Sequence, residues 1–255
     1  MPTTNLSRDK LASRNVAELQ ARILITLGID ALSSMRVLDI GCGNGSTVNG
    51  WLGIGANAYG CDFRFKDGKH VASLQQQNRL SIIPNTHYRL PYPDESFDLV
   101  LTNQVMEHVI DYPSTLSEIQ RILKPGGYCL HIFPSRWMPI EPHVFVPFAT
   151  VLRSYWWLSL WAFIGIRKRS QREQTWRDVA WENQQYLLTS TNYLTGKEIE
   201  KHFRQFFSKF NYAEKQFLQN SPNKRGQKLA RIGEIFPFVF PLYRAIWSRV
   251  ILTQK

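Results

Sequence analysis

The chain has 255 residues, 44% hydrophobic and 20% charged, with a formal net charge of +11. That length and mix belong to a globular chain with one substantial core, or one core plus a cap, and neither an internal repeat nor a low-complexity tract is present. The positive excess invites nucleic acid, anionic lipid or an acidic substrate, although a solvated basic face is common. Cys42, Cys61 and Cys129 fall in or beside predicted strands, with neither metal-ligand spacing nor a paired framework. They read as reduced thiols of a cytoplasmic protein. No apolar segment follows the basic start, so no signal peptide is expected.

The first predicted element is a helix over Asn15 to Leu27, with Val16, Leu19, Ile23 and Leu27 at helical spacing. Next comes Val37-Leu38-Asp39-Ile40-Gly41-Cys42-Gly43-Asn44-Gly45-Ser46-Thr47, an apolar run that carries an acid and breaks into alternating glycines. The pattern predicts a buried strand turning sharply into a helix, its bare backbone close to a ligand. A dinucleotide fingerprint has its third glycine one residue later than Gly45, where this chain has Ser46. Asp39 would repel a pyrophosphate and attract an ammonium. S-adenosylmethionine (SAM) carries an ammonium and a cationic sulfonium and no phosphate, so charge favours SAM as the cofactor.

A second strand, Asn57 to Asp62, ends on an acid about twenty residues past the loop, the spacing at which an acid meets ribose hydroxyls in doubly wound folds. Leu90 to Val109 reads as a turn, a buried strand and a polar strand end entering a helix. Leu123-Lys124-Pro125-Gly126-Gly127-Tyr128 closes a helix and opens another strand. Strands are predicted near 36–40, 57–62, 80–83, 97–102, 128–133, 212–218 and 249–253. A late helix is led by Thr195 and Glu198 at capping-box spacing.

In order and spacing, Val37 to Gly45, Asp62, Leu90 to His108 and Leu123 to Gly127 resemble the class I SAM-dependent methyltransferases of the broad small-molecule group. The resemblance covers roughly residues 15–135, about half the chain. It implies an α/β fold with a doubly wound, mostly parallel, seven-stranded Rossmann-like sheet. It also implies that Asp39, Gly41, Cys42, Gly43 and Gly45 surround the methionine part of SAM. Asp62 would bind the ribose, Phe63 would lie against the adenine, and Asn103 and Gln104 would sit near the sulfonium. Many relatives carry an Asp-Ala pair where this chain has Thr86 and His87, so adenine recognition falls to a hydroxyl, to backbone groups or to His87.

Residues 135–190 break the alternation. Pro134 to Phe145 includes Glu141, Pro142 and His143. An aromatic stretch from Tyr155 to Ile166 follows, and then Arg167, Lys168, Arg169, Arg172 and Arg177. Only about thirteen apolar-dominated residues separate Arg153 from Arg167, and a span needs roughly twenty. The stretch therefore reads as a buried cap helix or as an interfacial helix on anionic lipid. The chain divides into a SAM-binding core (1–134), a lid or acceptor-binding cap (135–190) and a C-terminal part completing the sheet (191–255).

Weak nucleophiles benefit from a general base, and the candidates are His108, Glu141 and His143. Gln104-Val105-Met106-Glu107-His108 resembles the Glu-x-x-Glu-His segment of metal-dependent O-methyltransferases. Gln104 replaces the first glutamate, which weakens a hard divalent site; Glu107, His108 and His143 could still form a partial set, but the favoured expectation is a site without metal. The expected activity is O-methylation of a small-molecule, glycan or lipid-linked acceptor, with an anionic membrane surface as a further candidate partner. The alternatives are an RNA methyltransferase, favoured by charge but lacking the Asn/Asp-Pro-Pro-Tyr signature, and a SAM-binding module without catalysis.

Overall fold

The computed structural model describes residues 5–84 and 88–255, with side chains from Val16 onward. In chain order the elements are α1 (Asn5–Thr26), β1 (Arg36–Ile40), α2 (Ser46–Ile54), β2 (Asn57–Asp62), α3 (Val71–Gln76), β3 (Leu80–Ile82), β4 (Phe97–Asn103), α4 (Tyr112–Ile122) and β5 (Leu123–Pro134). They continue with α5 (Tyr155–Ile164), α6 (Trp176–Thr189), α7 (Gly196–Phe206), β6 (Lys209–Tyr212), α8 (Glu214–Gln219), α9 (Lys224–Ile235), α10 (Val239–Ile246) and β7 (Ser248–Gln254). The strands form one seven-stranded sheet in the order β3-β2-β1-β4-β5-β7-β6. Neighbours from β3 through β5 are parallel, and β7 runs antiparallel to both β5 and β6.

Each parallel strand is apolar on both sides because helices cover both faces of the sheet. In β1, Val37 joins the cluster under α1 and α2, while Leu38 and Ile40 join the cluster under α4 and α7. The order of the sheet reverses between β1 and β4. In doubly wound sheets the crevice outside the carboxyl ends of the strands at such a reversal receives the ligand.

The tail belongs to the sheet. Thr195 caps α7 by accepting from the Glu198 N–H (3.3 Å), and Glu198 accepts in return from the Thr195 N–H (2.8 Å), so the predicted capping box is formed. α7 inserts fully buried Phe203 against His131, Tyr112, Phe207 and Phe210.

Two predicted boundaries are corrected. The strand expected at 212–218 ends at Tyr212, and α8 takes its place. Glu214 is pulled inward there, its buried carboxylate accepting from the Val250 N–H (3.2 Å) and from Arg244 (3.1 Å). The run Ala-Glu-Lys-Gln-Phe-Leu-Gln is also rich in helix formers. β5 starts at Leu123 because Leu123 already pairs with Phe97 before the Pro-Gly segment interrupts the register.

Residues 135–190 build a cluster of their own, in which Val144, Val146 and Ala149 pack with Leu158 and Ala162 of α5 and with Val179, Ala180 and Leu187 of α6. Removing the Phe203 ring should cost about 3–5 kcal/mol. Phe203→Ala is therefore expected to lower the thermal midpoint of the whole chain in a single transition, and a separate early transition of the tail would contradict a shared core.

Candidate active site

The glycine loop leaves β1 at the sheet reversal. Gly41, Gly43 and Gly45 have φ of 74°, 53° and 72°, in the left-handed region that penalises a Cβ. Space is short as well: a Cβ on Gly41 would lie 2.5 Å from Val105 Cγ2, and one on Gly45 would lie 2.7 Å from Leu74 Cδ1. The Gly41 and Cys42 N–H groups both donate to the Cys61 carbonyl (2.8 and 3.2 Å). The Gly43 N–H donates to Asp62 Oδ2 (2.8 Å), so the acid ending β2 also braces the loop. The Cys42 side chain is buried in the core under β2, with Sγ 2.9 Å from where a Cβ on Gly60 would sit.

Outside the loop lies a cavity of about 940 Å³, at the upper end of small-molecule and cofactor sites. Of the residues singled out from sequence, Gly41, Asp62, Phe63, Asn103, Gln104, His108 and His143 line it. Asp39, Cys42, Gly43, Gly45 and Glu141 stand behind this lining, and His87 lies outside the described residues. The sequence reading missed Lys66, Tyr88 and Tyr186, which also line the cavity. Tyr88 faces Phe63 with ring centroids 6.1 Å apart. It stands one residue past His87 in a stretch already under suspicion, but no spacing rule marks it.

The loop side of the site carries acids. Asp39 is 4% exposed, and burial, followed by the neighbouring charge of Asp62, pushes its carboxyl up to about 8. Two acids behind a glycine loop, one of them held from ionising, fit a cationic ligand and disfavour a phosphate. Gln104 follows β4 at φ 56°, a strained backbone for a residue other than glycine. Its N–H is held by the Ile132 carbonyl (2.8 Å).

Across the cavity two histidines meet. His108 Nδ1 lies 2.6 Å from the Ser190 carbonyl, an acceptor, so Nδ1 carries the proton and Nε2 presents a lone pair. His143 Nδ1 lies 2.8 Å from Glu141 Oε1, which fixes its tautomer in the same way. The two Nε2 atoms are 3.2 Å apart. Glu141 is fully buried yet held below the usual carboxylate range. Burial pushes it up, and hydrogen bonds from His143, from the Tyr193 hydroxyl (2.7 Å) and from the Val144 N–H (2.6 Å) more than offset this. Burial holds His108 below the ordinary histidine value; the Ser190 carbonyl opposes that shift and the neighbouring His143 adds to it.

Glu107 adds a third group. It is 1% exposed, burial pushes its carboxyl up to about 7, and neither carboxylate oxygen has a hydrogen-bond partner among the described residues. One ligand atom from each of Glu107, His108 and His143 lies within 4.8 Å of the other two.

Comparison with known proteins bears on the core of the chain. Residues 38–131 match the family described as a methyltransferase domain. A ubiquinone biosynthesis O-methyltransferase from Thiobacillus denitrificans is 32% identical over 101 residues, covering 38% of this chain and 43% of the relative. A demethylmenaquinone methyltransferase from Thermobifida fusca is 28% identical over 117 residues, covering 45% and 49%. The chain thus spans about half, or less, of the length of these curated relatives. The crystal structure of a SAM-dependent methyltransferase from Archaeoglobus fulgidus is similar in fold, with a TM-score of 0.50 at 15% identity, covering 94% of each chain. With its glycine loop, its sheet order and this domain match, the chain carries a methyltransferase domain over residues 38–131 and has the fold of the class I SAM-dependent methyltransferases.

Proposed function

We propose that the chain methylates a hydroxyl oxygen of a small-molecule, glycan or lipid-linked acceptor. The carrying observation is the pair of imidazole Nε2 atoms 3.2 Å apart at the cavity wall. Bound SAM would supply an activated methyl group on a cationic sulfonium. Asp39 and the backbone of Gly41, Cys42, Gly43 and Gly45 would hold its methionine end. Asp62 would take the ribose, Phe63 the adenine with Tyr88 alongside, and Asn103 with Gln104 the sulfonium end.

The acceptor side does the proton chemistry. Two lone pairs facing each other at 3.2 Å repel until a proton comes between them. A hydroxyl proton passed to one Nε2 is then shared with the other, while ionised Glu141 stabilises the positive charge through His143 Nδ1. The curated relatives named for ubiquinone and menaquinone biosynthesis support a small-molecule acceptor.

A second reading is favoured by Glu107. A buried carboxylate without a partner, beside two imidazole lone pairs whose outer nitrogens are already anchored, fits a divalent cation. Such an ion would lower the proton affinity of a bound hydroxyl. Chelation separates the two readings: under the first, activity survives an excess of chelator, and under the second it is lost and returns with added divalent metal.

Incubating radiolabelled SAM with fractionated cell extract tests the acceptor class. Label is expected in the small-molecule, glycan or lipid fraction. Label in RNA would instead support the charge-based alternative, and SAM binding without any transfer would support a non-catalytic module.

The base makes a pH prediction. The deprotonated pair is the active form, so kcat/KM for the acceptor at saturating SAM should be flat above neutrality and fall on the acid side. His143→Ala should lower kcat about 100- to 10,000-fold with SAM affinity unchanged, and unaltered kcat would sink the assignment.

The donor side makes another. A cation seated near Asp39 lowers its pKa, so SAM binding releases a proton below about pH 8. Affinity should therefore rise with pH up to about 8 and level off above it. Calorimetry in buffers of different ionisation heat reads that proton, and Asp39→Asn should abolish the release and weaken binding.

A further inference from the structure

We propose that the outer face of α5, with the basic segment after it, docks on the surface of a lipid bilayer carrying anionic lipid. Of its ten residues, Tyr-Trp-Trp-Leu-Ser-Leu-Trp-Ala-Phe-Ile, none is charged. Its inner side is accounted for, since Leu158 and Ala162 pack on α6 in the insertion's own cluster. Its outer side is not. Trp156, Leu160, Phe163 and Ile164 recur at i, i+4, i+7 and i+8 and form one stripe, exposed at 82%, 48%, 71% and 62%. A surface helix normally turns polar residues to water, and a contiguous apolar stripe marks a contact site.

The charges beside the stripe say what covers it. Between residues 165 and 177 stand five basic side chains, Arg167, Lys168, Arg169, Arg172 and Arg177, against the single acid Glu173. Arg167 donates to the Gln174 and Ala162 carbonyls and Lys168 lies over the Tyr186 ring, while Arg169, Arg172 and Arg177 are exposed. Arg177 adjoins the stripe in space: the Phe163 ring meets the Trp176 ring at 6.1 Å, and the Arg177 guanidinium lies 4.5 Å over Trp176. On α6 exposed Trp181 shares a face with Arg177, one turn on. A second copy of the chain would bring the same net charge of +11 to this contact and be repelled. An anionic bilayer accepts both parts, the aromatic and aliphatic groups at the acyl boundary and the guanidinium groups at the headgroups. No helix among the described residues is long and apolar enough to cross a membrane. At about 1.5 Å per residue α5 is roughly 15 Å long and would lie in the plane of the interface.

For the chemistry, docking matters only if the methyl-transfer reading holds. α6 carries Tyr186 of the cavity wall, and the Ser190 carbonyl just beyond α6 anchors His108. An acceptor dissolved in the bilayer would thus meet the site at the membrane surface, which narrows the acceptor class to lipid-linked or strongly amphipathic hydroxyl compounds.

Co-sedimentation with phosphatidylcholine vesicles, with and without phosphatidylglycerol, tests the proposal on the full chain. Binding is expected to the anionic vesicles and to weaken with salt. Trp156→Glu combined with Phe163→Glu should cut it at least tenfold. Both positions are exposed, so SAM affinity and the thermal midpoint should stay as in the parent. Arg169→Gln with Arg172→Gln should weaken binding less, and only to anionic vesicles. Three results would overturn the proposal: no binding to anionic vesicles, equal binding by the Trp156/Phe163 variant, or self-association abolished by that variant without vesicle binding. Failure of methyl transfer in detergent micelles, with vesicle binding intact, would instead count against the catalytic reading alone.

Discussion

An ionised carboxylate without access to water is tolerated only when its oxygens are filled by donors, and Glu141 meets that condition. It accepts from the N–H groups of His143 and Val144, from His143 Nδ1 and from the Tyr193 hydroxyl. Those donors come from the loop of Glu141 itself and from the segment that returns the chain to the core. The return segment is fastened in turn to the exit of β4, where the Asn192 N–H donates to the Glu107 carbonyl and His108 Nδ1 reaches the Ser190 carbonyl. One buried acid therefore fixes three stretches of chain around a single wall of the cavity. The positions of both imidazole rings follow from it.

Both sides of the cavity are electron-rich. At the glycine loop, buried Asp39 stands behind Asp62, and burial together with the charge of Asp62 keeps Asp39 from ionising easily. Across the cavity, two imidazole lone pairs and the bare carboxylate of Glu107 lack a proton or a cation. Under the proposed methyl transfer to a hydroxyl, a positive charge would leave the donor side and a proton would arrive at the acceptor side. Groups placed in advance for both would lower the barrier without moving at the moment of reaction. The strained Gln104 backbone stands between these two regions, where local conformational cost is commonly retained for function.

Donor-side features were legible in the sequence because their determinants are local. Three glycines at alternate positions need left-handed backbone whatever surrounds them, and Asp62 ends its strand at a fixed chain distance from the loop. The capping box at Thr195 is equally local. His143 and Glu141 drew notice by residue type, but the contact of His143 with His108 spans 35 residues and no spacing rule encodes it. Tyr193 lies 52 residues from the carboxylate it serves. The misplaced strand at 212–218 has the same origin: only contacts with β7 and Arg244, far along the chain, turn Glu214 inward and start a helix.

The sequence by itself determined the sheet, the glycine loop and the charge that favours SAM, because turn stereochemistry, apolar periodicity and electrostatic sign act over a few residues. Tertiary structure alone decided the histidine wall of the cavity. It brought His108, His143 and Glu107 within reach of one another and turned the apolar stripe of α5 outward. Those arrangements depend on how a 56-residue insertion folds back over the carboxyl edge of the sheet, from 135 to 190. That path is set by packing and by the demands of a buried charge, and both are satisfied between residues far apart in the chain.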